Sequence, residues 1–588
     1  MKLKIDHREV EAKEGMSIMQ AAALLGISIP ALCYSEGVAH HASCMVCMVK
    51  DLGSGRLLPA CEYPVQEGMN IQTHSHEIHE ARREALELLL SDHVGDCEAP
   101  CRRSCPAFMD IPQMNRLIAA GRFEEALKVV HDEIAIPLIL GYICPAPCEK
   151  ACHRSSIDGA VSICLLKRAA SLDSVSSYPA PGTSRLVEGT RLSGSEILIP
   201  NPQSLTPNTR HRIAIIGTGP SGLAAAFYLQ MLGHQAVLFD QHKEAGGLLR
   251  YHITEDKLPR KALDAEIEVI RQMGAEFRLN TLVTKEFFEN VLLKEFDATI
   301  IATGREDTQI SDDFGLEQDE HGLRVSRTTL EARMKEKRDT GRVERDTMDV
   351  KHDKQNVERD TLHDPQPPIP NPQPPTPTHG IFACGNIIRK RQMAVRSVAQ
   401  GKAAALSADH YLKTGKSGIA HQSFNSSFGR LFEEEYTEYL KESPPASRVE
   451  PEHGFMEGFN REEAMNEASR CMNCDCRKPV SCKLRIYATE YQAHQKRFAP
   501  ADRRLLTKNL QHEFVVYETE KCIRCGTCVE ITMAEKELQG LSYVGRGFDV
   551  RISVPLGGLM KDALARAGEK VIQACPTGAL SYKIRKDE

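Results

Sequence analysis

Residues 213–241 read IAIIGTGPSGLAAAFYLQMLGHQAVLFDQ, and this stretch decides the fold of the middle of the chain. An apolar strand pattern leads directly into Gly217, Gly219 and Gly222, an Ala-rich helix pattern follows, and Asp240 ends the next strand pattern. Glycines at this spacing permit a tight turn, close approach of the backbone to a pyrophosphate and close helix packing, and the helix N-terminus stabilises the phosphate charge. The stretch therefore predicts a Rossmann-like α/β domain that binds a dinucleotide, with Asp240 accepting hydrogen bonds from a ribose. The alternative is a non-binding fold whose glycines serve only packing.

Three later features favour FAD over NAD as the dinucleotide. Two glycines follow the acidic strand end, FDATIIATG ends in a glycine, and GIFACGN precedes a helix rich in Ala and Gly. Together these features resemble the FAD domain of the glutamate synthase small-subunit family, in which the position of Asn386 is usually Asp. The predicted cofactor-binding residues are Gly217, Gly219, Pro220, Ser221, Gly222, Asp240, Gly246, Gly247, Gly304, Gly385 and Asn386.

Composition excludes several other classes of protein. The chain has 588 residues, a net charge of −6 and charges of both signs mixed along it, which argues against a basic nucleic-acid binder and a polybasic membrane-surface protein. No apolar stretch reaches the ~20 residues that span a bilayer, and the first residues, MKLKIDHREVEAKEG, lack the apolar core of a secretory signal. We therefore expect a soluble, multidomain, cytoplasmic protein.

The chain contains 20 Cys and no Trp. All cysteines except Cys384 fall into groups, which favours metal centres over disulfides in a reducing compartment. The groups are Cys33, Cys44, Cys47 and Cys61; Cys97, Cys101 and Cys105; Cys144, Cys148, Cys152 and Cys164; Cys471, Cys474, Cys476 and Cys482; and Cys522, Cys525, Cys528 and Cys575. The lone Cys384 is interpreted as a small buried residue near the flavin.

The first group has the spacing C-x10-C-x2-C-x13-C, which suits a 2Fe–2S cluster because each iron takes two thiolates. A structural zinc ion with four thiolates is the alternative. The order of a β-hairpin (KLKID and EVEA), a helix (SIMQAAALLG) and a cysteine loop resembles a ferredoxin. Over residues 1–75 the sequence resembles the N-terminal 2Fe–2S domain of the large iron–sulfur subunit of respiratory complex I, which implies a β-grasp fold.

The second and third groups lie in HVGDCEAPCRRSCPAFMDIP and CPAPCEKACHRSSIDGAVSIC. These stretches resemble the N-terminal helical domain of the glutamate synthase small subunit and of dihydropyrimidine dehydrogenase, which holds two 4Fe–4S clusters through interleaved ligands. The resemblance implies these ligand sets: Cys97, Cys101 and Cys152 for one cluster, and Cys105, Cys144 and Cys148 for the other. Candidates for the two remaining positions are His93 and Cys164; His93 is otherwise an ordinary histidine at a helix end, and one cluster is then a 3Fe form or absent.

The two C-terminal groups differ in spacing. C-x2-C-x-C-x5-C, from Cys471 to Cys482, is compact enough for one 4Fe–4S cluster, with a structural zinc ion as the competitor. KCIRCGTCVE followed later by ACPTGAL is a strong 4Fe–4S pattern that resembles one cubane domain of the same complex I subunit. The sequence thus predicts one 2Fe–2S cluster and three to four 4Fe–4S clusters in addition to FAD.

The interval from Arg305 to His379 is 75 residues long and contains no second glycine fingerprint. Polar near-repeats and the tract DPQPPIPNPQPPTPTH occupy it, and we interpret the tract as an extended loop without a core of its own. In the glutamate synthase family this position normally carries an NADPH domain, so its loss predicts that the chain binds no nicotinamide nucleotide.

The predicted domains, in chain order, are a 2Fe–2S ferredoxin-like domain (1–75), a helical domain with two 4Fe–4S clusters (76–177), a linker (178–209), the first part of a Rossmann-like FAD domain (210–304), a polar Pro-rich insert (305–379), the second part of the FAD domain (380–415), connecting helices with a Cys-rich cluster site (416–500) and a 4Fe–4S ferredoxin-like domain (501–588).

These resemblances imply an oxidoreductase: an electron-transfer subunit of an NADH-linked, electron-bifurcating complex of the hydrogenase, formate dehydrogenase or aldehyde oxidoreductase type. Its implied partners are complex I-like flavoprotein subunits that oxidise NADH, a catalytic subunit, and ferredoxin. Two alternatives stay open: a self-contained NAD(P)H-dependent oxidoreductase like the glutamate synthase small subunit, and a zinc-bearing structural scaffold. The catalytic residues and the substrate are not predicted.

Overall fold

The computed structural model describes residues 1–174, 211–304, 308–335, 379–418, 423–498, 500 and 502–583. The predicted linker 178–209 and the Pro-rich tract of the predicted insert lie outside these residues.

The N-terminal domain is a mixed five-stranded sheet with one helix. Its elements are β1 (Lys2–Ile5), β2 (Arg8–Glu11), α1 (Ile18–Leu24), β3 (Met48–Asp51), β4 (Leu57–Pro59) and β5 (Asn70–Gln72). The strand order is β2-β1-β5-β3-β4, and β1 runs parallel to β5. Ser17 begins α1 with a capping box in which Gln20 takes part, so two otherwise unpaired backbone N–H groups are satisfied. The predicted β1–β2 hairpin and the predicted helix are confirmed.

The second domain is entirely helical. Its helices are α2 (His76–Ser91), α3 (Pro100–Ser104), α4 (Ile111–Ala119), α5 (Phe123–His131), α6 (Pro137–Ile143), α7 (Pro147–Lys150) and α8 (Ile163–Ser174). Side-chain caps from Ser75 and Asp110 begin α2 and α4. The short helices α3, α6 and α7 each begin with a proline and lie beside cysteines, so the cysteine loops are held between rigid turns.

The third domain is a parallel sheet covered by helices, as the glycine-rich stretch predicts. Its elements are β6 (Arg212–Ile216), α9 (Pro220–Met231), β7 (Gln235–Phe239), α10 (Leu248–Tyr251), α11 (Arg260–Gln272), β8 (Glu276–Arg278), α12 (Lys285–Phe287), α13 (Leu293–Glu295), β9 (Ala298–Ile301), α14 (Thr308–Asp313), β10 (Gln318–Asp319), β11 (Gly322–Leu323), β12 (Gly380–Ala383) and α15 (Ala394–Thr414). The strand order β12-β9-β6-β7-β8 places the ends of β6, β9 and β12 side by side at one edge.

Part of the predicted insert packs against the parallel sheet of the third domain. In the described residues 308–335, α14 and the β10–β11 hairpin bury Phe314, Leu316 and Leu323 against the outer face of the sheet. The apolar residues are few and separated by charged ones, so their shared burial gives no periodic signal in the sequence.

The C-terminal part combines short helices with two small antiparallel sheets. Its elements are α16 (Glu433–Leu440), α17 (Arg461–Ser469), α18 (Lys483–Glu490), β13 (Lys508–Asn509), β14 (Val515–Glu518), α19 (Thr527–Ala534), β15 (Ser542–Val544), β16 (Arg551–Ser553), α20 (Met560–Ala563), α21 (Gly568–Ala574) and β17 (Leu580–Tyr582). One sheet has the order β13-β14-β17 and the other pairs β15 with β16. Among the described helices, none is long and apolar enough to cross a membrane.

Glu442 joins α16 to the C-terminal sheet, and replacing it tests how strongly the two are held together. Its carboxylate lies 3.0 Å from Lys508 Nζ and also pairs with Arg477. Burial raises the pKa of Glu442, but Lys508 and Arg477 lower it further, to about 2. We expect Glu442→Gln to destabilise this part by about 3 kcal/mol, because two buried cations lose their partner.

The sign of the pH dependence follows from the lowered pKa. The contribution is fully present above the ordinary carboxyl pKa of 4.5 and is lost as the pH falls toward 2. The difference in unfolding midpoint between wild type and variant should therefore be constant between pH 5.5 and 8, as measured by anaerobic thermal unfolding. Lys441→Gln, at an exposed neighbour, is the control; an equally small effect of both substitutions would contradict the prediction.

Candidate iron–sulfur and dinucleotide sites

The glycine-rich loop between β6 and α9 is shaped as a dinucleotide site requires. A Cβ atom on Gly217 would lie 2.5 Å from the carbonyl oxygen of Ala302, and one on Gly222 would lie 2.0 Å from the carbonyl oxygen of Gly217. A Cβ atom on Gly219 would meet nothing within 4 Å, so the loop is open to a ligand at this point. Pro220 occupies the first turn of α9, where its missing N–H is not needed.

Asp240, the predicted ribose acceptor, also braces this loop. Its Oδ2 accepts hydrogen bonds from the backbone N–H (2.9 Å) and hydroxyl (2.6 Å) of Thr218, and its Oδ1 accepts one from the backbone N–H of His242 (3.0 Å). Burial raises the pKa of Asp240, but these hydrogen bonds lower it more, so the carboxylate stays ionised.

The second half of the site comes from the segment after β12. A Cβ atom on Gly385 would lie 2.4 Å from Ser221 Oγ, and one on Gly401 of α15 would lie 2.2 Å from the carbonyl oxygen of Ser221. Asn386 accepts a hydrogen bond from the backbone N–H of Gln392 at 3.2 Å. The two halves therefore meet at the N-terminus of α9, although about 75 residues separate β9 from β12.

The other predicted residues of this site lie along the same edge of the sheet. Gly246 and Gly247 precede α10, and a Cβ atom on Gly247 would lie 3.0 Å from the Cα atom of Gly219. Gly304 follows β9 and has open space around it. Cys384 is fully buried beside this edge, and burial raises its pKa to about 12, as expected of a packing residue.

Five sets of thiols lie in the rest of the molecule, and we number them from the N-terminal domain toward the dinucleotide domain. Site 1 consists of Cys33, Cys44, Cys47 and Cys61, all buried. The sulfur atoms of Cys33 and Cys44 are 3.4 Å apart. Hydrogen bonds from Cys44 and Cys61 lower the pKa of Cys33, while the same contacts raise the pKa of both partners. The four thiols predicted to bind a 2Fe–2S cluster are therefore in one place.

Site 2 consists of Cys522, Cys525, Cys528 and Cys575. Burial, followed by the charge of Cys575, raises the pKa of Cys522 to about 12 and of Cys525 to about 11. The four thiols line a small cavity of about 20 Å³ together with Tyr517. The four predicted ligands of the C-terminal 4Fe–4S pattern therefore surround one point.

Site 3 consists of Cys97, Cys476 and Cys482. Burial and then the charge of Cys476 raise the pKa of Cys97 to about 11, and burial, Cys476 and Cys97 raise the pKa of Cys482 to about 12. The backbone N–H of Cys476 donates a hydrogen bond to the carbonyl oxygen of Cys97 at 3.2 Å. A Cβ atom on Gly578 would lie 2.2 Å from Cys476 Sγ, so the site needs a glycine there.

His93 lies four residues before Cys97 and is the candidate fourth ligand of site 3. Its Nδ1 is buried without a hydrogen-bond partner in the part of the chain that the structure describes. Burial, and then the charge of Lys521, lower the pKa of His93 to about 4, so its imidazole is neutral. Lys521 is itself an electrostatic neighbour of Cys476. A neutral imidazole whose buried Nδ1 has no hydrogen-bond partner in the described residues has the chemistry of a metal ligand.

Site 4 consists of Cys101, Cys152, Cys471 and Cys474. Burial and then the charges of Cys471, Cys152 and Cys474 raise the pKa of Cys101 well above its ordinary value. Burial also raises the pKa of Cys471, where a hydrogen bond from Asn115 acts in the opposite direction. Asn115 was not predicted from the sequence, because an Asn inside a helix pattern carries no sign of a neighbouring thiol.

Site 5 consists of Cys105, Cys144, Cys148 and Cys164. Cys164 is within hydrogen-bond contact of Cys144 and Cys148, and burial raises the pKa of Cys105. The backbone N–H of Cys164 donates to Glu149 Oε1 at 2.9 Å, which holds α8 against α7. The structure thus places Cys164, one of the two candidates for the remaining ligand positions, with Cys105, Cys144 and Cys148.

These sets correct two predictions about grouping. Cys97 was expected to share a cluster with Cys101 and Cys152, and the four cysteines from Cys471 to Cys482 were expected to form one compact site. Instead, the C-terminal group divides between sites 3 and 4. The reason is that each site combines thiols from distant parts of the chain, which the spacing within one cysteine group does not record.

The donor sets fit iron–sulfur cores, whose irons are held mainly by cysteine thiolates. Zinc needs four ligands about 2.3 Å from a single point, whereas a polynuclear core spreads its thiolates around a larger volume. Crowded buried thiols that raise one another's pKa would gain strongly from such a core, because bound iron offsets their charge.

The five sites follow one another through the molecule. Cys33 of site 1 acts electrostatically on Cys525 of site 2, and the two lie in one apolar core. Cys575 of site 2 acts on Cys482 of site 3, whose Sγ lies 3.8 Å from the carbonyl oxygen of Pro576.

Sites 3, 4 and 5 are joined through short turns of chain. Cys97, Cys101 and Cys105 belong to sites 3, 4 and 5 in that order. Helix α7 contains Cys148 of site 5 and is followed closely by Cys152 of site 4. At the far end, Cys144 ends α6.

Helix α6 connects the last site to the dinucleotide domain. The backbone N–H groups of Leu138 and Ile139 in α6 donate to the Glu266 carboxylate of α11 at 2.6 and 2.9 Å. Burial raises the pKa of Glu266 to about 8. Site 5 therefore adjoins the dinucleotide domain through α6. Glu266 lies at this interface, and nothing in the sequence pattern of α11 set it apart from the other charged residues of the same helix.

Three regions of the chain match models of known protein families. A 2Fe–2S iron–sulfur cluster binding domain matches residues 1–76, dihydropyrimidine dehydrogenase domain II with its 4Fe–4S cluster matches residues 69–177, and an NAD(P)-binding Rossmann-like domain matches residues 215–280. The chain carries iron–sulfur domains of two kinds. The predicted ferredoxin-type and dihydropyrimidine dehydrogenase-type domains are confirmed, and so is the Rossmann-like domain.

Three relatives are oxidoreductases or subunits of them. The NADPH-Fe(3+) oxidoreductase subunit beta of Geobacter sulfurreducens is 31% identical over 228 residues, 38% of this chain and 30% of the relative. The NADP(+)-dependent formate dehydrogenase subunit beta of Moorella thermoacetica is 34% identical over 210 residues, 35% and 29% of the two chains. The glutamate synthase [NADPH] small chain of Mycobacterium tuberculosis is 32% identical over 213 residues, 36% and 39%. The matched regions span about a third of these relatives' length.

Proposed function

We propose that the chain is the electron-transfer subunit of a cytoplasmic, multi-subunit oxidoreductase, with one 2Fe–2S cluster, four 4Fe–4S clusters and one FAD. The observation that carries this proposal is the unbroken sequence of sites 1 to 5, which ends against the dinucleotide domain. Iron–sulfur clusters supply one-electron transfer, and a flavin exchanges one electron or two. The resemblance of residues 1–75 and of the C-terminal domain to a complex I subunit supports an NADH-oxidising flavoprotein as the partner at site 1.

The residues of the chain act mainly by holding and shielding these sites. Buried ion pairs between distant segments, such as Arg116 with Asp475 and Arg485 with Glu98, tie the N-terminal and C-terminal cysteines together. Because the cysteines of these sites are buried or half-buried, water has limited access to the cluster positions, and the low local polarity strengthens the effect of nearby charges. The substrate is handled by a partner subunit, of the hydrogenase, formate dehydrogenase or aldehyde oxidoreductase type, and ferredoxin is a further electron partner.

A self-contained NAD(P)H-dependent oxidoreductase is the second candidate, and the match of residues 215–280 to an NAD(P)-binding model favours it. Against it stands the direct pairing of β9 with β12, which brings Gly385 to Ser221 so that, in the described residues, both halves of the domain line the same candidate nucleotide site.

One experiment separates the two candidates. We expect anaerobically purified chain to contain FAD, iron and acid-labile sulfide, and its flavin to stay oxidised when NADPH or NADH is added alone. Addition of a complex I-like flavoprotein pair should then allow NADH to reduce the iron–sulfur centres, followed by absorbance and paramagnetic resonance. Reduction by NADPH without a partner would refute the relay and support the second candidate, and zinc in place of iron would support the structural scaffold.

A further inference from the structure

Lys167 is a buried lysine next to site 5 that the proposed function does not yet use. It lies in α8, one turn after the ligand Cys164, so the two side chains share a face of the helix. Only 3% of its surface is exposed. Within the ranges that the structure describes, no carboxylate forms an ion pair with it.

The groups that face Lys167 are thiols. Burial lowers its pKa, but the thiolates of Cys164, Cys144, Cys148 and Cys105 raise it more. In return, Lys167 lowers the pKa of Cys105 and Cys144. All four members of site 5 therefore interact with one ammonium group.

Lys521, another buried lysine beside a thiol site, is neutralised locally. Lys521, which neighbours Cys476 of site 3, is also 3% exposed, but its Nζ lies 2.6 Å from the Glu518 carboxylate. Glu266 interacts electrostatically with Lys167, but its two carboxylate oxygens already accept hydrogen bonds from the backbone of α6. The charge of Lys167 is thus left to act on site 5.

We propose that the positive charge of Lys167 raises the reduction potential of the iron–sulfur cluster held by site 5, which makes this site the preferred electron acceptor beside the dinucleotide domain. Reduction adds one electron and so one negative charge, and a buried cation stabilises the more negative state in surroundings of low polarity. Lys167 contacts no substrate; it acts through the ligands of site 5. This inference rests on the proposed presence of a cluster in site 5.

The test compares Lys167→Met with Lys167→Arg, in holoprotein purified anaerobically. The signal of site 5 is identified as the one lost in Cys105→Ala, and its midpoint potential is measured by redox titration followed by paramagnetic resonance. Lys167→Met should lower the equilibrium constant for reduction at least tenfold, a shift of 59 mV for one electron. Lys167→Arg keeps the charge and should stay within about threefold of wild type.

Lys150→Met is the matched control, because Lys150 lies between the ligands Cys148 and Cys152 but is exposed to solvent. Water and salt screen its charge, so its removal should leave the potential within about twofold of wild type. An equal shift in Lys150→Met and Lys167→Met, or no shift in Lys167→Met, would overturn the inference.

Signals of sites 1 and 2 report whether each variant has folded. If site 5 fails to assemble in both Lys167→Met and Lys167→Arg, the residue serves assembly and the inference is overturned. If wild type itself lacks a signal that Cys105→Ala removes, the proposed function fails instead, so the two failures are distinguishable.

Discussion

Cys474→Ala and Cys476→Ala are expected to remove two different iron–sulfur signals, although the residues are only two apart in the sequence. Cys474 belongs to site 4 and Cys476 to site 3. Cys474→Ala should therefore reproduce the spectrum of Cys101→Ala, and Cys476→Ala that of Cys97→Ala. Each substitution should cost about four iron atoms per chain, the content of one 4Fe–4S cluster.

The effect on electron transfer should be larger than the loss of iron. Sites 3 and 4 lie in the middle of the series, so either substitution interrupts the path between site 1 and the dinucleotide domain. We expect reduction of the flavin through site 1 to fall by orders of magnitude, as measured by rapid mixing with a reduced partner. Cys384→Ala is the control, because Cys384 is buried but belongs to none of the five sets. Loss of one common signal in Cys474→Ala and Cys476→Ala would show that the C-terminal group forms a single cluster.

Local sequence patterns predicted the elements of this fold better than their assembly. The glycine-rich loop of 213–241, the first hairpin and the helix that follows it all depend on neighbours in the sequence, and all are confirmed. The grouping of cysteines along the sequence likewise indicated which cysteines belong to thiol sites.

No local sequence pattern indicated which distant cysteines share a site. Site 3 exists because Cys476 bonds the backbone of Cys97, and because Gly578 leaves room for its sulfur atom. Site 4 depends on the ion pair between Arg116 and Asp475, which brings the C-terminal group to α4. Each of these contacts joins residues more than a hundred positions apart, so no pattern along the chain records them.

The two glycines at the start of α9 should fail in different ways when changed to alanine. A Cβ atom on Gly222 would lie 2.0 Å from the carbonyl oxygen of Gly217, so Gly222→Ala must push the loop away from α9. Overpacking of this kind costs about 1–3 kcal/mol, and the displaced loop can no longer approach a pyrophosphate. We expect a lower unfolding midpoint together with loss of bound flavin.

Gly219→Ala should separate cofactor binding from folding. A Cβ atom on Gly219 would meet nothing within 4 Å, so the variant should unfold at the same temperature as wild type when both are stripped of flavin. The same Cβ atom would, however, occupy the space through which the backbone approaches the pyrophosphate. The ratio of flavin to protein, measured after release of the flavin, should therefore fall in Gly219→Ala as it does in Gly222→Ala. A Gly219→Ala chain that keeps its full flavin content would place the cofactor elsewhere, and an unchanged unfolding midpoint in Gly222→Ala would show that the loop can move without cost.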